Sequence, residues 1–372
     1  MNTSDQVAAR YKLPAEAYFE QSWLDKEKRN IFGNSWLFVG LESELPESGC
    51  YKTVVAGFDE LIVVRDKEGE LKAFHNTCRH RGARLVSGEG QCSSFVCPYH
   101  KWGFGLDGTL RGVPQLEQFG ELDFAELGLH RASVESWMGM LFVHASETPP
   151  VDFERWTTGI SEDLAVFEVD KLHLLRRDSF VFDANWKLYI ENHVDWLHLW
   201  YVHPETLGHL DHSDGEVEQH GSTFISYDPV KPLHVEASNS MNPLVDLPQL
   251  ANAPARYSET GAHFLFPNLP IFTGSSFFAM TDLIPLSPEK TQMNITLLGE
   301  PGGNPDEFMR LFNRITKDED AEIIIAIQKN IRSSRFEVGP IAHTYEKAIS
   351  CFHDHYLELI EGAPDVVRIN AG

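Results

Sequence analysis

Cys78-Arg79-His80-Arg81-Gly82 and, after an interval of sixteen residues from His80, Cys97-Pro98-Tyr99-His100-Lys101-Trp102 decide the reading of this 372-residue chain. Each Cys and His pair lies between short strand-like runs, so two loops offer four metal-ligating side chains. Two thiolates and two imidazoles suit tetrahedral zinc, or a two-iron, two-sulfur cluster in which histidines replace both cysteines on one iron. Zinc pairs usually have two to four intervening residues. Cys78 and His80 have one, which favours the cluster. The other cysteines, Cys50, Cys92 and Cys351, are too scattered for a disulfide framework and read as small buried residues or inert thiols.

Working outward, β-rich runs at Thr53–Val55 and Leu61–Val64, a turn at Asp66–Gly69 and a hairpin turn at Asp107-Gly108 predict a small antiparallel β domain. It should end near a linker at Thr148-Pro149-Pro150. Before it, the spacing of Phe19, Trp23, Ile31, Trp36 and Phe38 predicts a helix and then a strand. Beyond it the pattern is α+β, with strands at Leu174–Phe182, His263–Phe266, Phe277–Ile284 and Met293–Leu298. A long helix should open with Asn304 as N-cap, Pro305 first and Glu307 in capping-box position, run past Gln328, and be followed by another over Tyr345–Ile360. The expected division is an N-terminal helical segment over 1–38, a β domain over 39–150 and a larger domain over 151–372.

Asn185-Trp186-Lys187-Leu188-Tyr189-Ile190-Glu191-Asn192-His193-Val194-Asp195-Trp196-Leu197-His198, continuing to His203, carries a second constellation on a helix expected over Trp186–Tyr201. Glu191, Asp195 and His198 share a face of an ideal helix. His198 and His203 stand about 140° apart on one, so joint metal binding needs a distorted turn or a helix that stops before His203. Pro204 makes such a stop credible. Trp196, Trp200 and Tyr201 interleave with these groups, either lining a cavity or packing as core. The remaining His193, His209, His212, His220, His343, His353 and His355 read as core or surface histidines.

Both constellations, in this order, resemble the α subunits of the Rieske non-haem iron oxygenases. The resemblance implies a Rieske antiparallel β domain and a helix-grip (START-like) catalytic domain with a curved antiparallel sheet. It implies that Cys78, His80, Cys97 and His100 hold a Rieske 2Fe-2S cluster, and that His198 and His203 bind a mononuclear Fe(II) with a carboxylate completing the facial triad. The family's C-terminal Glu-Asp-x-x-Ile-x4-Gln pattern falls on Glu319, Asp320, Ile323 and Gln328, which makes Asp320 the third ligand, with Asp318 as the alternative. Asp195 is implied to link His198 to the partner subunit's His100 in a homotrimer, with Asn192 near the iron and Glu191 either tuning Asp195 or joining a polar network. O2 is the implied co-substrate. Electrons come from a ferredoxin or flavin reductase, so NAD(P)H is used only indirectly.

The implied activity is hydroxylation of a small organic substrate, by monooxygenation or oxidative demethylation, since length and chain ends resemble the branch with choline and betaine oxygenases. One departure is Asp195, where those quaternary-ammonium enzymes commonly bridge with glutamate. Alternatives are an aromatic-ring cis-dihydroxylating dioxygenase and a non-enzymatic helix-grip binding protein with a zinc-stabilised β domain. A formal charge of −24, from 31 basic and 55 acidic residues, disfavours nucleic acid and anionic membranes as partners. No signal peptide or membrane-spanning run is evident, so the cytoplasm is the default address.

Overall fold

In the computed structural model, which describes residues 10–220, 223–231 and 243–361, the chain divides into two units. One spans Glu27–Trp156, and the other joins the N-terminal segment through Lys26 to the residues from Thr157 onward. The N-terminal segment thus ends earlier than the expected 38. The reason is β1 (Leu37–Leu41), which pairs with a strand near the end of the β unit and carries residues 27–38 into it.

The β unit continues with β2 (Cys50–Ala56), β3 (Asp59–Arg65), β4 (Leu71–His75), β5 (Glu89–Gln91), β6 (Phe95–Val96), β7 (Gly103–Phe104), β8 (Leu110–Gly112), β9 (Arg131–Trp137) and β10 (Met140–His144). They form a seven-stranded antiparallel sheet in the order β1-β10-β9-β4-β3-β2-β5 and a three-stranded sheet β6-β7-β8. The turn expected after β3 is closed by Asp66, whose Oδ1 accepts from the amides of Glu68 and Glu70 at 3.0 and 2.8 Å. Ile62, Val64, Phe74, Phe95, Phe104 and Leu110 pack into one core, and Cys78 and Cys97 belong to it. The two cysteine loops are therefore rooted in apolar packing while their tips reach the surface.

The second unit is a seven-stranded antiparallel sheet in the order β11-β17-β16-β15-β14-β13-β12, with β11 (His173–Phe182), β12 (Glu216–His220), β13 (Thr223–Asp228), β14 (Thr260–Leu265), β15 (Leu269–Gly274), β16 (Phe277–Ser287) and β17 (Lys290–Gly299). Four of these match the expected strands. β12, β13 and β15 were not anticipated: β12 is a polar edge, and Pro270 inside β15 disguises a strand. The helices that bear on the site are α1 (Gln21–Glu27), α2 (Trp186–His193), α3 (Leu199–Val202), α4 (Pro305–Asn313), α5 (Ala321–Asn330) and α6 (Lys347–Ile360). Asn304 caps α4 as expected, accepting from the Glu307 amide at 3.2 Å while its Nδ2 donates to Glu307 Oε2 at 3.1 Å. Phe352 of α6 packs on Trp186 of α2 and on Phe264 of the sheet, closing a helix layer over the curved sheet. The class is the α+β, helix-over-sheet arrangement expected.

Three histidines of this unit are held neutral by burial: His193 and His355 are pushed down to about 4, and His263 to about 3. Each binds a proton readily only once unfolded. The stability they contribute is complete above the ordinary histidine value of 6.5 and drains as pH falls from there toward 4. Chemical denaturation of this unit followed from pH 7 to 4.5 should lose up to about 4 kcal/mol per pH unit at the steepest point.

Candidate functional site

The two cysteine loops share one backbone design. Cys78 N donates to Ala83 O at 2.9 Å and Gly82 N to Cys78 O at 2.9 Å; Cys97 N donates to Trp102 O at 2.8 Å and Lys101 N to Cys97 O at 3.0 Å. The fifth residue of each loop is left-handed, Gly82 at φ +71° and Lys101 at φ +61°. This folds successive amides inward, so His80 N and Arg81 N point at Cys78 Sγ, and Tyr99 N and His100 N at Cys97 Sγ. Burial raises the Cys78 thiol, whereas at Cys97 the amide donors and Lys101 outweigh burial and lower it. The His80 and His100 rings stand 4.6 Å apart, and His80 stacks on Trp102 at 4.9 Å. His80 Nδ1 is buried without a hydrogen-bond partner. Two thiols with amide donors aimed at sulfur, facing an imidazole nitrogen that lacks a protein partner, fit an iron-sulfur cluster well.

In the larger unit the expected helix over Trp186–Tyr201 is interrupted. α2 ends at His193; Asp195 Oδ1 then accepts from Leu197 N at 2.6 Å in an Asx turn, and only one further turn, α3, follows before His203. The break abolishes the shared face of Glu191, Asp195 and His198, and it is what lets two histidines five residues apart point one way. His198 and His203 have ring centroids 5.2 Å apart.

Their carboxylate partner comes from the long helical run. Between α4 and α5, residues Arg314–Asp320 are π-helical. Four residues overshoot an α-turn by about 40°, and the wider π turns absorb that drift. Phe312, Thr316, Asp320, Ile324 and Gln328 consequently stay on the buried face at a spacing of four. Asp320 Oδ1 meets His203 Nε2 at 2.9 Å, His198 Nε2 at 3.6 Å and Asn192 Nδ2 at 3.0 Å. One donor atom from each of His198, His203 and Asp320 lies within 4.8 Å of the others. Asp318, the alternative, is exposed.

Electrostatics favour a cation there. Burial opposes protonation of His198, but Asp195 and Asp320 outweigh it and push the imidazole up to about 9. Burial likewise raises Asp320, and His198 and His203 overcome it to hold the carboxyl well below its ordinary range. An imidazole–imidazole–carboxylate set that stabilises positive charge in a buried place fits a divalent iron.

Glu319 was named in the acidic string without a role of its own, although it lies between the two candidate aspartates. Its Oε2 accepts from His203 Nδ1 at 2.7 Å and Thr206 Oγ1 at 2.6 Å, which leaves His203 Nε2 as the outward donor atom. Asp195 Oδ2 stands 3.5 Å from His198 Nδ1. Glu191 belongs instead to a buried network, accepting from Tyr18 Oη at 2.6 Å and His353 Nε2 at 2.9 Å, because the helix face that carries it turns toward the N-terminal segment and α6. Gln328 is structural: its Oε1 accepts from Asn185 N at 2.9 Å, tying the start of α2 to α5. Trp196 lines the cavity beside the cluster, whereas Tyr201 is 77% exposed. That cavity measures about 190 Å3 and is walled by Phe272, Phe277, Phe308 and Phe312.

Two separate donor sets, one of sulfur and imidazole and one of imidazole and carboxylate, define a two-centre iron redox protein. Residues 35–135 match the Rieske 2Fe-2S domain, and residues 161–362 match the ring hydroxylating alpha subunit (catalytic domain). The chain belongs to the ring-hydroxylating α-subunit family of Rieske oxygenases, and is an oxidoreductase whose cofactors are a Rieske cluster and a mononuclear iron, with O2 as co-substrate. The glycine betaine monooxygenase oxygenase subunit of Chromohalobacter salexigens is 29% identical, with 95% of this chain and 87% of that protein covered. The chloroplastic choline monooxygenase of Beta vulgaris is 26% identical, with coverage of 91% and 75%. Among solved structures, a quaternary ammonium Rieske monooxygenase superposes with a TM-score of 0.78 at 22% identity, covering 95% of this chain and 96% of that one. Naphthalene 1,2-dioxygenase gives 0.74 at 23% identity, covering 97% and 95%, and both of these likenesses speak to fold.

Asp320→Ala should lower iron from about three to about two atoms per chain with sulfide unchanged. Glu319→Gln should keep the site but weaken its iron affinity by roughly 10- to 100-fold, measured by competition with a chelator. Glu191→Ala should retain iron and lose about 2 kcal/mol of stability in urea denaturation.

Proposed function

We propose that this chain is the terminal oxygenase for a small quaternary ammonium compound, hydroxylating a carbon next to nitrogen in a monooxygenation or oxidative demethylation. The observation that carries the substrate class is the aromatic wall of the cavity at the His198, His203 and Asp320 cluster, four phenylalanines of the residue type whose ring faces attract ammonium groups. The naming of glycine betaine and choline monooxygenases among relatives covering nine-tenths of this chain supports it.

In this reading Cys78, His80, Cys97 and His100 hold the cluster, and His198, His203 and Asp320 hold the iron. The iron supplies O2 activation, and the net reaction takes a C–H bond, O2, two electrons and two protons to C–OH and water. The protein's part is placement and exclusion of water. Glu319 fixes the tautomer of His203, and Asn192 holds Asp320 by hydrogen bonding to Oδ1. Asp195 engages His198 Nδ1 on one side, and in a homotrimer its other side faces the partner subunit's His100, joining the two centres across the interface. Glu191 acts through the buried network rather than on substrate. A ferredoxin or flavin reductase delivers electrons from NAD(P)H in the cytoplasm. Among the described residues, no helix is long and apolar enough to cross a membrane.

The test begins anaerobically, with visible and paramagnetic resonance spectra before and after dithionite and with iron, zinc and sulfide counted. A brown protein whose reduced form gives a rhombic, low-average-g signal is expected. A colourless zinc protein without sulfide would sink the assignment. With reductase, O2 and quaternary amines supplied, labelled oxygen should appear in product. Asp195→Asn should keep both metals and slow turnover by about tenfold to 100-fold.

A further inference from the structure

One carboxylate in the cavity has no task in the metal chemistry. Asp228, on β13, lines the cavity and is 7% exposed. Its Oδ2 lies 3.2 Å from His212 Nδ1, which donates to it. Its Oδ1 is buried without a hydrogen-bond partner. A buried carboxylate oxygen left unpaired costs several kcal/mol in a low-dielectric place and calls for a positive partner. Gly215 makes room for it: a Cβ there would lie 2.6 Å from Asp228 Oδ1 and 2.6 Å from Trp196 Cη2.

Histidines aside, the charged side chains of the lining have one sign. Asp195, Asp228 and Asp320 are its acidic members, and no lysine or arginine is among its described residues. Asp320 is committed to the cluster and Asp195 to His198 and Leu197. Asp228 is the acidic lining group left over, in a cavity whose apolar wall includes Phe272, Phe277, Phe308 and Phe312. His212 acts as a positioning residue: it lines a second cavity on its other side and holds the Asp228 carboxyl in place.

We infer that Asp228 is the counter-ion for the cationic head of the substrate, and that the cavity selects quaternary ammonium alcohols or hydrocarbons that carry no carboxylate over zwitterions of the betaine and carnitine kind. The inference rests on the ammonium reading above and narrows it. An ammonium without N–H groups cannot donate a hydrogen bond, so its recognition depends on charge and on aromatic faces, and the cavity supplies both. A zwitterion brings a carboxylate among Asp195 and Asp228, with no lysine or arginine among the described lining residues to receive it, and like charges so placed are penalised.

Equilibrium binding to the anaerobic holoenzyme tests this with three probes of similar size: choline, its uncharged isostere 3,3-dimethylbutan-1-ol, and glycine betaine. Choline should bind at least about tenfold more tightly than either of the others. Asp228→Asn should bring choline and the isostere to within about twofold while the isostere's own affinity moves by less than about threefold. The visible spectrum of the cluster reports that the variant is folded. Should that variant not fold, the wild-type ranking of choline against glycine betaine decides alone. Betaine bound as tightly as choline, or a choline preference that survives Asp228→Asn, overturns the inference and leaves the ammonium oxygenase standing. Failure of both cations to bind while indole or naphthalene binds overturns the ammonium reading itself, and this inference with it.

Discussion

A carboxylate buried to 6% exposure at the end of a π-helical segment is the constraint around which the larger unit is built. Asp320 can be ionised there only because His198, His203 and Asn192 converge on one of its oxygens. Removing a carboxylate from water costs more than its Coulomb attractions return unless geometry and hydrogen bonds are nearly complete. Each irregularity nearby serves that convergence. α2 stops early, Asp195 turns the chain, and the helical run beyond Asn304 widens so that residues spaced by four stay in phase. A regular helix in either place separates the groups.

Behind the cluster lies a second polar layer that sets where the ligand-bearing helices stand. Gln328 bonds the Asn185 amide and also donates to Tyr18 O at 3.2 Å, while Glu191 gathers Tyr18 and His353. The N-terminal segment, α2, α5 and α6 are thereby fixed to one another by satisfied buried hydrogen bonds, which specify an arrangement more sharply than apolar contact alone. The cysteine loops need no such distant bracing. Each closes on itself within six residues, and its amides turn toward sulfur because one residue adopts a left-handed conformation.

The overall charge of −24 and the charge of the cavity agree in sign but have different consequences. Surface charge is screened within about a Debye length and repels large polyanions. Inside a walled cavity one carboxylate acts on one ligand with little screening, so Asp228 bears on selectivity more than the acidic surface does. Glu319 likewise looked like part of a solvated acidic stretch until its contact with His203 gave it a different role.

Motifs closed over a few residues were legible without coordinates. The two Cys and His loops, the turn at Asp66, the capping box at Asn304 and the carboxylate-histidine run after Asn185 are local patterns, and chain connectivity enforces them wherever they sit. The sequence offered Asp320 with Asp318 beside it, because a string of acidic residues does not say which one points inward. That choice belongs to the tertiary structure, since the phase of a helix with a π segment depends on what packs against it. The same holds for the role of Glu191, for the polar edge strand β12, and for the pairing of His212 with Asp228. Burial, which sets a common acidic residue apart from a solvated one, depends on chain segments far apart in sequence and exists only once they have packed.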